Sequence, residues 1–401
     1  MSSGRLRSHH LWLPTILLLL LFGLSLSACG DSTSGTTATP TKTPTAGPDD
    51  LPIATDTPGA PASPQSTPTA TLPPPPKVLP TVDDPTLIGN GTLPDNVAPF
   101  TALEVPDPSV LEHMAVAVKI SNSPIVRPQS GLSTADIVIE HLAEGGITRF
   151  TAVYHSQDAE RIGSVRSARL IDLEIPVLFD SFLVYSGASG EVTRLLDSSD
   201  FADTTLSDVR GDPGFYRLEV PGRAYDHTLF TDTQLLWQIA ESQNWTDPPR
   251  QRGWVWSHEL PEDVDPATTV EIPYSEEYSD VQYLYNSDPG LYQRSILGKP
   301  HLEELTGEQL TAANVVVLYV HHVDTLITED VLGSKSMEIQ LWGQGPMQLF
   351  RDGVAKEGIW LRPNRDAPLL FVDGNFKPIP LKPGNTWIQI VPLDMDVTFG
   401  E

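Results

Sequence analysis

Cysteine is almost absent from this chain, which contains a single one, Cys29, in 401 residues. The rest of the chain therefore cannot form an intramolecular disulfide, a zinc-thiolate site or a thiol nucleophile. Its folded part must be stabilised by packing, for which roughly 300 foldable residues are sufficient.

Several motifs that would identify a reaction are also absent. The sequence contains no GxxxxGK[ST], no GxGxxG after a strand and no HExxH. The stretch Gly187–Gly190 stops short of the nucleophile motif G-x-S-x-G because Glu191 stands where glycine is needed, so it predicts a strand-to-helix turn. In His321-His322-Val323-Asp324 only the second histidine and the aspartate would share a strand face, which is too few ligands for a metal. We expect no metal and no cofactor.

Positive charge is scarce, with 25 Lys and Arg against 52 Asp and Glu, and the formal net charge is −27. Such an acidic chain is not expected to bind nucleic acid, or an anionic membrane surface as a general partner. Any local cluster of cations is therefore unusual in this protein.

Residues 1–29 have the pattern of a secretory signal peptide. Arg5 and Arg7 precede the apolar run at 16–22, and small residues stand directly before Cys29. This arrangement is typical of a bacterial lipobox, in which the cysteine is lipidated and becomes the mature N-terminus. The alternative is an uncleaved transmembrane anchor, because the apolar run is nearly long enough to span a bilayer. Both interpretations predict a cell-membrane protein on the extracytoplasmic face, and the first makes the bilayer a partner through lipidated Cys29.

Residues 30–85 are rich in Thr, Pro, Ala and Ser and contain few large apolar residues. Such a segment cannot bury enough apolar surface to offset the entropy of ordering. We predict a disordered tether.

The remaining sequence predicts an α+β protein, with a mixed α/β N-terminal domain at 86–248 and a smaller β-rich C-terminal domain at 249–401. The first part alternates apolar strand patterns with helix patterns, one of them capped by Thr231 or Asp232. After residue 249 the apolar runs are short and bounded by turns, such as the hairpin loop at 286–290. The second part forms either its own domain or a sheet that completes the first.

The stretch from Ala135 to Asp172 carries the strongest chemical signal. It contains the arginines Arg149, Arg161, Arg166 and Arg169. Guanidinium groups match carboxylate and phosphate oxygens bidentately, so the four could line an anion-binding cleft. The alternative is a structural ion-pair network with the nearby acidic residues Glu140, Glu144, Asp158 and Asp172.

The stretch AVKISNSPIVRPQSGLSTADIVIEHLAEGGITRFTAVYHSQDAERIGSVRSAR resembles the N-terminal signature of the YerB-like lipoproteins, the family of the DUF3048 domain. YDHTLF at 225–230 is similar to a further family stretch, although Asp226 and Thr228 replace its usual proline and asparagine. LTAANVVVLYV, LFRDGVAKEGIWLR and NTWIQIVP resemble its smaller C-terminal domain. The resemblance covers roughly residues 86–397.

The resemblance implies a secreted, usually lipid-anchored bacterial protein without an established activity. The polar residues that match family-defining positions are ligand-binding candidates. They are Asn122, Arg127, Gln129, Glu140, Glu144, Arg149, Arg161, Arg166, Ser167, Arg169 and His227.

We therefore expect a membrane-anchored extracytoplasmic lipoprotein that binds an anionic cell-envelope ligand, such as a glycan or peptide, through an arginine-rich cleft. The alternative is an envelope hydrolase or transferase, in which Glu140 or Glu144 is the general base and His227 an acid/base partner. A purely structural envelope protein is the third possibility. The sequence leaves open whether any reaction is catalysed and assigns no catalytic residue.

Overall fold

The computed structural model describes residues 84–250, 253–330 and 332–401, together with residues 72, 74 and 76. The predicted signal peptide with Cys29 and nearly all of the predicted tether lie outside the described residues. Within the described ranges, every helix is too short or too polar to cross a membrane.

Strands make up most of the regular structure in the described chain. In chain order they are β1 (Ala115–Ser121), β2 (Ile137–Leu142), β3 (Thr148–Tyr154), β4 (Ile162–Gly163), β5 (Ser181–Tyr185), β6 (Thr205–Ser207), β7 (Tyr216–Arg217), β8 (Leu229–Thr231), β9 (Asp265–Pro266), β10 (Thr269–Pro273), β11 (Asp280–Asn286), β12 (Leu291–Ile296), β13 (Lys299–Pro300), β14 (Thr311–Ala312), β15 (Asn314–Val320), β16 (His322–Thr328), β17 (Lys335–Ile339), β18 (Gly343–Arg351), β19 (Val354–Arg362), β20 (Leu370–Val372), β21 (Thr386–Pro392) and β22 (Thr398–Gly400). The α-helices of the same ranges are α1 (Ile175–Phe179), α2 (Gly190–Asp197) and α3 (Thr233–Ser242).

The protein is therefore sheet-rich with few helices, and the predicted α+β class is confirmed only in that coarse sense. The mixed α/β character expected for residues 86–248 is not confirmed. Helices α1, α2 and α3 have 5, 8 and 10 residues, shorter than the crossover helices that cover both faces of an α/β sheet.

Local sequence signals are confirmed where their physical cause is local. Gly145 and Gly146 adopt φ values of 68° and 76°, a left-handed conformation that glycine accepts at no steric cost, and they connect β2 to antiparallel β3. Asp232 caps α3 by accepting a 2.8 Å hydrogen bond from the Leu235 amide. The loop between Asn286 and Leu291 joins β11 to β12, as its turn residues predict.

One eleven-stranded sheet extends through both predicted domains. Its order is β20-β19-β18-β15-β21-β2-β3-β1-β5-β6, and β9 pairs with β19 at its side. Strand β21 lies between β15 and β2 and is parallel to both. The second part of the chain therefore contributes strands to the same sheet as the first, while the domain boundary at 249 stays a prediction.

Strand alternation gives this sheet two apolar faces. One face, which includes Val118 and Phe150, packs against α3 and against a six-stranded sheet of order β13-β12-β11-β10-β22, in which β14 also pairs with β12. The other face, which includes Ala117 and Ile139, packs against α1, α2 and the hairpin β16–β17. Because both faces are covered, the central strands are rich in apolar residues, and all seven residues of β1 are buried.

Trp387 tests whether the two parts of the chain form one cooperative core. It lies in β21, is fully buried and contacts the rings of Phe150 and Tyr283 with centroid separations of 5.8 and 6.3 Å. We expect Trp387→Ala to lower the free energy of unfolding by about 3–5 kcal/mol, because it leaves a cavity shared by both sheets. Denaturant unfolding measures the change.

The matched control is Trp342→Ala, since this tryptophan is 42% exposed. A comparable loss of stability in the two variants would contradict the assignment of Trp387 to the shared core.

Candidate functional site

The predicted site residues fall into separate groups on the two faces of the main sheet. Glu140 pairs with Phe150 across β2 and β3, and His141 pairs with Arg149. Because neighbouring residues of a strand point to opposite faces, Glu140 faces the six-stranded sheet and Arg149 faces the side of α1 and the β16–β17 hairpin. The two residues were expected to share one surface because they are close in the sequence. Strand alternation instead places them on opposite faces of the sheet.

Glu140 is completely buried and forms an ion pair with Arg294 of β12. Its Oε2 accepts a 2.6 Å hydrogen bond from Arg294 Nη2. Its Oε1 accepts hydrogen bonds from Asn122 Nδ2 at 3.1 Å and from Thr148 Oγ1 at 2.7 Å. The carboxylate is therefore fully engaged by internal donors.

Arg294 is itself fully buried and enclosed by aromatic rings. Its guanidinium carbon lies 5.0, 5.5 and 5.8 Å from the ring centroids of Trp387, Phe150 and Tyr283. Such cation–π contacts help offset the loss of hydration of a buried charge. This environment attaches the six-stranded sheet to the main sheet.

A chain of hydrogen bonds continues from Arg294 toward the surface. Arg294 Nη1 donates to His301 Nδ1 at 2.7 Å, and His301 Nε2 donates to Gln129 Oε1 at 2.6 Å. Burial and the charges of Arg294 and Arg127 hold the pKa of His301 well below its usual value, which keeps the ring neutral for these two roles. Gln129 Nε2 then donates to Asn122 Oδ1 at 3.1 Å.

Arg127 forms the outer end of this network. Its Nε donates to Asn122 Oδ1 at 3.0 Å, and its Nη2 donates to the carbonyls of Asn122 at 2.6 Å and Tyr278 at 2.5 Å. No carboxylate of the described residues lies within 4.0 Å of its guanidinium. Arg127 also lines a groove of about 400 Å³, whose walls are Pro124, Arg127, Pro128, Ile296, Leu297, Lys299, Pro300, His301 and Leu302.

The opposite face of the sheet holds a second buried polar cluster, which is centred on Lys119. The Lys119 ammonium donates to His141 Nε2 at 2.7 Å, Thr151 Oγ1 at 2.9 Å and Asp172 Oδ1 at 2.9 Å. Burial lowers the pKa of Lys119 to about 8, although the charge of Asp172 opposes that shift. Burial and the adjacent ammonium hold the pKa of His141 well below its usual value, so this ring is neutral.

Arg149, Arg169 and Glu144 lie beside that cluster. Both Arg169 Nε and Arg169 Nη2 donate to the Glu144 carboxylate, the latter to Oε2 at 2.6 Å. Arg149 Nη1 donates to the Ser167 carbonyl at 2.6 Å, and its Nη2 lies 3.6 Å from Glu144 Oε2. Burial would raise the pKa of Glu144, but the hydrogen bond and charge of Arg169 and the charge of Arg149 lower it. Ser167 belongs to this group only through its main-chain carbonyl, which accepts the hydrogen bond from Arg149.

Arg166 and His227 form a third, smaller group. Arg166 Nη1 donates to the Asp226 carbonyl and to Asp226 Oδ2, both at 2.9 Å. His227 Nε2 lies 3.7 Å from the same Oδ2. Burial and the charge of Arg166 lower the pKa of His227. In the described ranges, neither Glu140 nor Glu144 lies within hydrogen-bond distance of His227.

Arg161 contributes to the contact between the two parts of the chain. Its Nη1 lies 3.8 Å from Glu304 Oε2, and its guanidinium lies over the Phe230 ring. Glu304 also accepts a hydrogen bond from the Ser130 hydroxyl. The ligand-binding role assigned to each of the predicted residues stays a prediction.

Sequence reasoning did not identify Lys119, Arg294, His301 or Lys299. Lys119 carried a usable signal, because a lysine inside the apolar run Met114–Ile120 must find internal partners. Arg294 and His301 carried none, since Glu140 and Gln129, to which they form hydrogen bonds, lie more than 150 residues away in the chain.

No group of three or more His, Cys, Asp or Glu side chains in the described chain is arranged to hold a metal ion. His322, from the stretch considered for a metal, instead has Nδ1 at 2.9 Å from the Val320 carbonyl.

Comparison with known proteins gives matches over both parts of the chain. Residues 100–246 match the family described as "Protein of unknown function (DUF3048) N-terminal domain", and residues 270–388 match the corresponding C-terminal domain. The chain is 32% identical over 302 residues to "Putative lipoprotein YerB" of Bacillus subtilis (strain 168), covering 75% of this chain and 87% of the relative. It also resembles the crystal structure of YerB protein from Bacillus subtilis, with a TM-score of 0.63 and 31% identity. The match covers 75% of this chain and 99% of the chain in that structure.

The Glu140–Arg294 pair can be tested by removing one charge. We expect Glu140→Gln to lower the free energy of unfolding by about 3–5 kcal/mol, because Arg294 becomes a buried charge without a carboxylate. Denaturant unfolding of the two proteins measures the loss. Glu271→Gln, at an exposed position of β10, is the control, for which we expect a change within about 0.5 kcal/mol. Equal stability of Glu140→Gln and wild type would contradict the structural role.

Lys119 predicts a specific pH dependence. Its pKa of about 8 in the folded protein is below the ordinary lysine value of 10.5, so the unfolded chain binds more protons between these values. The contribution of Lys119 to stability therefore rises with pH in this window, by at most about 1.4 kcal/mol per pH unit. The measurement is the stability difference between wild type and Lys119→Met at pH 8 and pH 10. A difference that is constant or falls over this window would contradict the prediction.

Proposed function

We propose that this chain, which belongs to the DUF3048 family of YerB-like lipoproteins, is a binding protein for an anionic ligand. The site is the groove between the Pro124–Pro128 segment and the Ile296–Leu302 segment, with Arg127 and Lys299 as its cations. The observation that carries the proposal is the set of hydrogen-bond partners of Arg127. Among the described residues, its guanidinium is held in place only by neutral carbonyl oxygens, although the protein as a whole is acidic.

The other candidate arginines are already paired with carboxylates. Arg149 and Arg169 contact Glu144, Arg161 lies near Glu304, and Arg166 contacts Asp226. Arg127 differs because Asn122 and Tyr278 hold its orientation without neutralising its charge. A guanidinium fixed in this way requires little reorganisation to bind an oxyanion.

Lys299 supplies a second positive charge to the same groove. It is exposed in β13, and none of the carboxylates in the described ranges lies within 4.0 Å of its ammonium. Two uncompensated cations on one groove are notable in a chain with a net charge of −27. Their combined field favours a carboxylate or a phosphate.

The rest of the groove is largely apolar. Its walls include Ile296, Leu297 and Leu302 together with three prolines. Such a lining favours a ligand that carries an apolar portion beside its anionic group, and a volume of about 400 Å³ suits a small fragment of a larger molecule. A glycopeptide of the cell envelope can have both parts, and a polyol phosphate of the cell envelope has the anionic group.

The hydrogen-bond network that runs from Glu140 to Arg127 has a defined role in this proposal. Asn122 and Gln129 orient Arg127, and His301 connects them to Arg294 and Glu140. These predicted site residues then act as positioning residues and do not contact the ligand.

Lipid anchoring fits the same function. A relative named a lipoprotein supports a membrane-anchored form of this chain, with Cys29 as the attachment point. The extracytoplasmic face follows from the predicted signal peptide, and there the groove would meet envelope polymers. The hydrolase alternative lacks a supporting contact, since the charged partner of His227 is Asp226 and not Glu140 or Glu144.

Isothermal titration with soluble peptidoglycan fragments and with short poly(glycerol phosphate) tests the groove. We expect one of the two to bind to wild type, and Lys299→Ala to weaken that binding by at least about fivefold. Arg127→Gln should weaken it by about 10–100-fold, because a charge-assisted hydrogen bond to the ligand is lost.

Lys377→Ala is the matched control, since this lysine is exposed and lies outside the groove. It should bind as wild type does. The proposal is wrong if neither ligand binds to wild type, or if Lys299→Ala and Arg127→Gln both bind as tightly as wild type.

A further inference from the structure

The hairpin β16–β17 is a separate two-stranded sheet that covers the Arg149–Arg169 group. In the described chain its strands pair only with each other. Strand β17 packs against the turns Glu144–Gly146 and Leu170–Leu173, which flank the two arginines. Lifting the hairpin would break none of the hydrogen bonds of the main sheet.

The two faces of the hairpin have different surroundings. Ile327, Met337 and Ile339 pack against the apolar core beneath it. Leu326 and Leu332, near its tip, are 94% and 89% exposed. An element held by one face and not by a ladder belongs to the less stable parts of a fold and can open locally.

Glu329, at the end of β16, places a carboxylate beneath the hairpin. Its side chain is fully buried, and its Oε2 lies 3.7 Å from Arg169 Nη1. Neither carboxylate oxygen accepts a hydrogen bond from the described residues. A buried carboxylate without donors is costly, so this contact is a poor structural ion pair.

The charges of the cluster explain why a carboxylate lies there. Three cations, Lys119, Arg149 and Arg169, face two carboxylates, Asp172 and Glu144. Glu329 supplies the third negative charge and balances the group. Without the hairpin the cluster has one cation in excess.

The donors of the cluster are also incompletely used. Arg149 Nη2 lies 3.6 Å from Glu144, beyond hydrogen-bond distance. Arg169 Nη1 donates to the Ala168 carbonyl at 2.8 Å and meets Glu329 only at 3.7 Å. A small oxyanion could approach both guanidinium groups more closely than the glutamate does.

We propose that Arg149 and Arg169 form a second anion-binding site, which the β16–β17 hairpin closes and the Glu329 carboxylate occupies as an internal competitor. The ligand is a phosphate or a carboxylate group that displaces Glu329 when the hairpin lifts. This site is independent of the Arg127–Lys299 groove, because the two lie on opposite faces of the main sheet.

The test uses Glu329→Gln in the full chain, with inorganic phosphate as the probe. An internal competitor reduces apparent affinity by the fraction of molecules in which it occupies the site. We expect phosphate to bind to Glu329→Gln at least tenfold more tightly than to wild type in calorimetric titration. Asp324→Asn, which removes an exposed carboxylate from the same hairpin, should match wild type.

A second measurement requires no substitution. In wild type, phosphate should accelerate amide hydrogen exchange of the hairpin, residues 322–339, and leave exchange of the main sheet unchanged. This result would support the site even if Glu329→Gln failed to fold.

Two outcomes would overturn the proposal. One is that Glu329→Gln binds phosphate no more tightly than wild type while phosphate leaves hairpin exchange unchanged. The other is that phosphate binding to Glu329→Gln disappears when Lys299→Ala is added, which would locate the ion in the groove. Failure of envelope fragments to bind to the groove would leave the phosphate result unaffected, so the two proposals fail separately.

Discussion

The ion pair between Glu140 and Arg294 is the contact on which the arrangement of this protein depends. Removing both charges from water is expensive, and attraction alone does not offset that cost. Here Asn122 and Thr148 also donate to the carboxylate, and aromatic rings enclose the guanidinium. These partners come from both parts of the chain, so the pair is satisfied only when the two sheets are docked in one register.

That docking creates the groove proposed as the binding site. One wall belongs to the segment after β1 and the other to the segment around β13. The network from Glu140 through His301 and Gln129 then holds Arg127 at the groove. In the proposed function the buried members of this network position Arg127, whose guanidinium has no carboxylate partner within 4.0 Å among the described residues.

The other face of the sheet shows a different solution to the same electrostatic problem. Lys119, Arg149 and Arg169 are concentrated in a small volume, where burial and the charges of the two arginines lower the pKa of the lysine. Main-chain carbonyls and two carboxylates satisfy most of their donors, and a glutamate on a separately packed hairpin supplies the remaining charge. That carboxylate, Glu329, accepts no hydrogen bond from the described residues, so its contribution to the cluster is its charge.

The sequence by itself determined the features whose causes are local. Glycines predicted the β2–β3 turn, Asp232 predicted the start of α3, and the family signature in residues 117–169 predicted the family. It also predicted that Arg149 and Phe150 point to opposite sides of a strand, because alternation is a property of the extended backbone. Only the tertiary structure decided that this alternation separates Glu140 from Arg149, that β21 pairs with β2, and that Arg294 and His301 reach Glu140 and Gln129. Those contacts depend on packing between segments more than 150 residues apart, and no local pattern encodes which distant side chain will neutralise a buried charge.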